Sequence, residues 1–226
     1  MKVTLKAITP DIEKVIVEIA RVSSSRKDKS QKPEGLINYL INNWHWSPFE
    51  HGFITMEIET SRAIGTQLLR HRSFTFQEFS QRYQNVAKVS EEGMFENIEL
   101  RRQATNNRQS STEVFEPTWV ETAFGGRCDG ESFEVKGSDA INQFLSEAER
   151  LYNTLLDCGV AREQARMVLP TATKTRIYMT GSVRSWIHFV KLRDDSHAQE
   201  EAQEIAKAIK NILNVELPII SRALGW

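Results

Sequence analysis

Cysteine is almost missing from this chain of 226 residues, which holds only Cys128 and Cys158. So few thiols exclude a disulfide framework and fit a reducing compartment. Neither cysteine has a histidine neighbour or an activating motif, so a thiolate nucleophile has little support. Long apolar runs are missing too. No stretch approaches the roughly 20 apolar residues of a membrane helix, and the opening MKVTLKAITPDIEKV lacks the apolar run of a signal peptide. The expectation is a soluble, cytoplasmic protein with no membrane partner.

Net charge is nearly absent. Lys plus Arg number 29 against 30 Asp plus Glu, a balance of −1 that argues against a general nucleic-acid binder. There is no Gly-rich phosphate loop, since Gly125–Gly126 and isolated glycines make neither GxGxxG nor a Walker sequence. His45, His51, His71, His188 and His197 follow no metal-ligand spacing such as HExxH. His45 and His51 could be assembled with Glu50 into a metal site, but such clusters more often serve as hydrogen-bonded structural groups, and no metal is expected.

The patterning is mixed. KVTLKAI alternates as a strand; IEKVIVEIARV and PEGLINYLINNW repeat at helical spacing. GFITMEIETS puts Ile54, Met56 and Ile58 on one face and Thr55, Glu57 and Glu59 on the other, as in a half-buried strand. RAIGTQLLRH returns to helical spacing. Residues 88–137 are polar and weakly periodic, a surface insertion or a lid; a structureless loop of that length is unusual in a compact domain. A long helix follows, with Ser138 as expected N-cap and Gly159 past its C-terminus. AREQARMVL predicts a helix ending at Pro170, TKTRIYMTG a strand, and SVRSWIHFVKLR a helix capped by Ser182. AQEEAQEIAKAIKNIL predicts a last helix, with Asp194, Asp195 and Ser196 before it as its cap.

The missing net charge hides a local excess. Residues 61–83 contain Arg62, Arg70, Arg72 and Arg82 against the single acid Glu78. Within RHRSFTFQEFSQRY, Arg70, His71 and Arg72 are consecutive, and desolvating a guanidinium costs more than packing its stem returns. In extended chain Glu78, Ser80 and Arg82 would share one side, offering an acceptor, a hydroxyl and a cation. That set could hold an anionic group and orient a polar ring, or be a solvated turn with an ion pair. Between 162 and 197 a second excess sets seven Lys and Arg against three acids, and includes Arg162, Arg166, Arg184 and Arg193. A planar guanidinium recognises phosphates and pyrimidine carbonyls by paired contacts. A small anionic ligand suits these clusters better than a polyanion.

RHR, seven residues, Ser, one residue and Arg, with SPFEH (47–51), REQARMVLP (162–170) and LRDDSHAQ (192–199), resembles the flavin-dependent thymidylate synthase family. The resemblance implies an α/β (α+β) fold: a single domain over 1–226, with a central, mainly antiparallel sheet, long helices and the 88–137 insertion. It implies a homotetramer with sites shared between subunits, and reductive methylation of dUMP to dTMP. FAD would be the cofactor, NADPH the reductant and methylenetetrahydrofolate the carbon donor.

By the same resemblance Arg70, His71 and Arg72 look like flavin contacts, with Arg70 also near the nucleotide, and Ser47, Glu78, Arg184 and His197 join the flavin side. Gln67, Glu78, Phe79, Ser80, Gln81 and Arg82 look like the dUMP cradle, with Arg166 and Arg193 as further nucleotide ligands. His45 and Glu50 belong to the folate entrance. The sequence departs from the family at Ser182 and His188, where asparagine flavin contacts are usual; both can hydrogen-bond, with different reach. Thr75 and Gln77 replace the family's Ser and Asn. Such chemistry needs no protein nucleophile, only a guanidinium to stabilise enolate charge on the pyrimidine, and Arg193 is the catalytic candidate. Two rivals stand beside this reading. One is a metal-dependent nucleotide hydrolase built on Glu50, Glu78 and the histidines. The other is an RNA-binding module that stacks bases on Phe74, Phe76, Phe79 and Tyr83.

Overall fold

Alternation in the first residues does produce a strand, β1 (Lys2–Ile8), and helical spacing then gives α1 (Ile12–Ala20) and α2 (Pro33–Asn42). A 3₁₀ turn, Ser47–Glu50, leads into β2 (Phe53–Ser61), then α3 (Arg62–Leu68) and β3 (Phe74–Glu78). Next come β4 (Arg101–Gln103), β5 (Ser111–Val114), β6 (Thr118–Thr122) and β7 (Ser132–Lys136). The chain closes with α4 (Gly137–Asp157), α5 (Arg162–Ala165), β8 (Lys174–Ser182), α6 (Val183–Arg193), α7 (Glu200–Glu216) and α8 (Pro218–Leu224). This computed structural model describes residues 1–22, 32–108, 110–122 and 132–226. The chain divides into two units, Met1–Thr60, Ile64–Glu78 and Arg176–Trp226 in the first, Ser61–Ala63 and Phe79–Thr175 in the second.

The fold is the expected α+β class. Its main sheet has the order β1–β2–β8–β3. β1 runs antiparallel to β2, and β3 antiparallel to β8 with Phe74 opposite Gly181. Between β2 and β8, Thr55 meets Thr180 at 2.9 Å and Glu59 meets Arg176 at 3.0 Å, so these strands are antiparallel too. As the alternation predicts, Ile54, Met56 and Ile58 are buried, with Ile177 and Met179 beside them in the same core. Glu57 is buried as well, held by Lys6 at 3.1 Å. Helix α1 adds Ile12, Ile16 and Val17; α6 adds Trp186, Phe189 and Val190; α7 adds Ile205, Ile209 and Leu213. Gly181 is required where it stands, because a Cβ there would run into the Phe74 ring.

In the second unit a smaller core gathers Val86, Val89, Met94, Tyr152 and Ala165, and the Tyr152 hydroxyl accepts the Val86 N–H at 3.3 Å. The 88–137 stretch holds regular structure: β4 pairs with β5 and β6 with β7, both antiparallel. Nearly every residue of these strands is exposed, so no inside–outside alternation marks them in the sequence.

Three boundary expectations need correction. Helix α4 begins at Gly137 with Lys136 at its N-cap; Ser138 lies inside and donates its N–H to Glu116 at 2.9 Å. The helix expected over AREQARMVL ends at Ala165 and passes into a 3₁₀ turn, Arg166–Val168, because Pro170 forces Leu169 into extended backbone (φ −80°, ψ 131°). Helix α7 has Gln199, not residues 194–196, at its N-cap position, with no side-chain cap hydrogen bond; Asp195 instead accepts the His197 N–H at 2.8 Å. A short final helix, α8, was not expected. Pro218 opens it, and Glu13 of α1 accepts the N–H groups of Ile219 and Ile220 at 2.9 and 2.8 Å.

Candidate active site

Helix α6 positions two clusters in the first unit, one at each end. At its start Ser182 is the N-cap that the sequence predicts, with Oγ accepting the Ser185 N–H at 3.3 Å. The same hydroxyl donates to Glu50 Oε2 at 2.7 Å, and Arg184 Nη1 donates to Glu50 Oε1 at 2.8 Å. One carboxylate therefore fixes a hydroxyl and a guanidinium. Its own place is set by the 3₁₀ turn, anchored by buried Pro48 and Phe49. With both partners about half exposed the ion pair is worth at most about 1 kcal/mol, so its service is orientation.

Beside this cluster lies a cleft of about 450 Å³. Trp44, Trp46 and Ile187 give it flat apolar wall, while Arg184, His188 and Lys191 give it cationic or titratable groups. The two indoles meet edge-on at 6.4 Å, and Lys191 Nζ stands 5.7 Å from the Trp46 ring. Trp44 is left-handed (φ 59°), a conformation costly for a residue with a Cβ. Sequence reasoning missed Trp44, Trp46, Ser73, Ser185 and Lys191, which also line the cleft. The Trp–His–Trp run before SPFEH was the available signal.

At the far end of α6 Arg193 donates from Nε to His71 Nε2 at 3.0 Å and from Nη2 to the Gln67 carbonyl at 3.5 Å. The imidazole packs against Phe189 at 4.9 Å and Phe74 at 6.3 Å. Burial first, then Arg193 and His188, push the His71 pKa down to about 4, so the ring is neutral near pH 7. Burial and Arg70 also lower the Arg193 pKa. The Gln67 side chain donates to Gln199 at 2.7 Å.

Other expected site residues flank these clusters or lie in the second unit. Arg70 and Arg72 are exposed on either side of His71. His45 meets Tyr39 edge-on at 5.8 Å, and Ser47 is exposed at the start of the 3₁₀ turn. His197 Nδ1 is held by Asp195 at 2.7 Å. Glu78 ends β3, and there the expected extended run stops: the Ser80 carbonyl accepts the N–H groups of Tyr83 and Gln84 in a turn. Glu78, Ser80 and Arg82 therefore do not alternate along one strand. In the second unit, Arg82 pairs with Glu163 at 3.6 Å and Arg166 Nε donates to the Glu163 carbonyl at 3.3 Å. Phe79 is half-buried, and Gln81 is buried with Nε2 lacking a hydrogen-bond partner.

On this α+β scaffold a neutral histidine is set on an arginine, and the cleft along the same helix, α6, offers indole walls and cations, a chemistry suited to flat, anionic groups. The chain belongs to the thymidylate synthase complementing protein family, whose profile matches residues 4–219. It is 39% identical over 214 residues to the flavin-dependent thymidylate synthase of Synechocystis sp., covering 95% of this chain and 90% of that one. A Paramecium bursaria Chlorella virus 1 protein, named "Probable flavin-dependent thymidylate synthase", is 38% identical over 218 residues, 95% of this chain and 91% of its own. The Thermosipho africanus flavin-dependent thymidylate synthase is 33% identical over 203 residues, 89% of this chain and 81% of its own.

Proposed function

We propose that this protein is a flavin-dependent thymidylate synthase that methylates dUMP reductively to dTMP, with FAD, NADPH and methylenetetrahydrofolate. The observation that carries the reading is the Arg193 guanidinium, fixed by an uncharged acceptor in a chain of this family. The donor set suits the cofactor: indoles and Ile187 for a flat ring system, Arg184, His188 and Lys191 for its phosphates. Bound flavin supplies the hydride. Arg193 presents its remaining N–H groups to the uracil O4 carbonyl and stabilises the negative charge that builds there as C5 becomes nucleophilic. Arg70, His71, Arg72, Ser47, Glu78, Ser182, Arg184, His188 and His197 serve the flavin; Gln67, Phe79, Ser80, Gln81, Arg82 and Arg166 serve the nucleotide; His45 and Glu50 serve the folate.

The metal-hydrolase rival has no observation to carry it, since Glu50 is engaged by Ser182 and Arg184. Purified protein is expected to show a flavin absorption band, and to release tritium from 5-tritiated dUMP when folate and NADPH are added. A colourless protein that forms no dTMP after incubation with FAD sinks the reading.

The enzyme works as a cytoplasmic homotetramer in which one nucleotide site takes residues 78–82 and Arg193 from different subunits, while His71 stays with the Arg193 of its own chain. Co-refolding inactive Arg82→Ala chains with inactive Arg193→Ala chains is then expected to restore part of the activity, because mixed tetramers regain intact sites. No recovery after verified mixing places both residues in one subunit.

A further inference from the structure

We propose that His71 is a positioning residue for Arg193: its neutral imidazole aims the guanidinium at the nucleotide without neutralising it. The inference rests on the thymidylate chemistry proposed above and assigns His71 a task in it that is distinct from touching flavin. Arg193 Nε donates to His71 Nε2 at 3.0 Å, so the ring proton sits on Nδ1. Nη2 spends one donor toward the Gln67 carbonyl at 3.5 Å. Of the five guanidinium N–H groups this leaves the terminal edge free for a paired contact.

The imidazole is itself held in place. Phe189 lies 4.9 Å and Phe74 6.3 Å from it, and its backbone N–H donates to the Leu68 carbonyl at 3.0 Å. A carboxylate at this place would orient Arg193 equally well, but would cancel the charge that must face the developing enolate. A neutral acceptor keeps that charge whole, and the depressed pKa of His71 keeps the acceptor neutral.

The test compares His71→Gln, His71→Leu and His71→Glu in the flavin-loaded enzyme. Glutamine carries an acceptor to about the place of Nε2 and is expected to retain kcat within about tenfold. Leucine removes a hydrogen bond to a charged group and is expected to lose about 10- to 100-fold in kcat, with KM for dUMP moving less. Glutamate keeps the acceptor but neutralises Arg193, so it is expected to fall well below glutamine. A merely structural role would make glutamine and glutamate alike, and that result overturns the proposal. So does a leucine variant with wild-type kcat. If leucine prevents folding, the glutamine–glutamate comparison decides alone.

A second readout needs no turnover. In ¹⁵N-arginine spectra of ligand-free protein, the Arg193 Nε–H, assigned by its loss in Arg193→Lys, is expected to be protected from solvent exchange in wild type and His71→Gln. His71→Leu is expected to abolish that protection; unchanged protection there overturns the pairing. Wild-type enzyme that forms no dTMP defeats the functional reading, while the Nε–H measurement still decides the pairing.

Discussion

Arg193→Ala is expected to remain folded, yellow and able to oxidise NADPH slowly, while dTMP formation falls about 100- to 1,000-fold, the usual cost of removing one preorganised charge-stabilising donor. Folding should survive because Arg193 ends α6 and its two hydrogen bonds are only partly buried. Turnover should not survive, because water would solvate the uracil oxygen only after reorganising, whereas in the proposed arrangement the guanidinium is already held toward it. Arg193→Lys should recover little: an ammonium on a flexible stem cannot reproduce the paired planar contact or the Nε donation to His71. Tritium release from 5-tritiated dUMP at saturating dUMP is the direct measurement. Near wild-type release in Arg193→Ala would falsify the assignment while leaving the family membership intact.

The place of Arg193 at a helix end was legible in the sequence. An arginine closes an apolar helical run and is followed by aspartates, so it had to leave the core at a helix end. Ser182 was legible for a similar local reason, since a hydroxyl before a helical run is an N-cap. The main sheet was legible where one face is buried, as in β2. The strands β4 to β7 were not, because burial writes the alternating pattern and these strands are almost wholly exposed. The His71–Arg193 pair was equally hidden. Its members are 122 residues apart, and no local pattern records a contact made across the fold. The Ser80 turn defeated the period-two argument, because that argument assumes extended backbone and the chain leaves it after Glu78. Nor could spacing show that Glu50 would be shared by Ser182 and Arg184.

The site's rigidity is also borrowed from the core, and Trp186→Ala is expected to expose the debt. Trp186 is fully buried, meets Phe74 at 4.7 Å and Phe189 at 5.9 Å, and donates its indole N–H to the Ile54 carbonyl at 3.1 Å. Truncating a buried tryptophan to alanine costs about 3–5 kcal/mol through lost transfer energy and the cavity left behind. Against a total stability of about 5–15 kcal/mol that is a large share. At about 2–4 °C per kcal/mol for a chain of this size, the midpoint of thermal unfolding should fall by roughly 6–20 °C. Trp186→Phe keeps most of the ring volume but loses the hydrogen bond to the Ile54 carbonyl, so its cost should be about 1–3 kcal/mol. Phe74 and Phe189 are also the rings against which His71 packs. Both substitutions should therefore lower kcat for dTMP formation even at temperatures where the protein is fully folded, with alanine the worse. Circular dichroism melts and kinetics at a common low temperature separate the two effects. A melting point within a few degrees of wild type for Trp186→Ala would show that these rings do not carry the core, and would remove the platform assigned to His71.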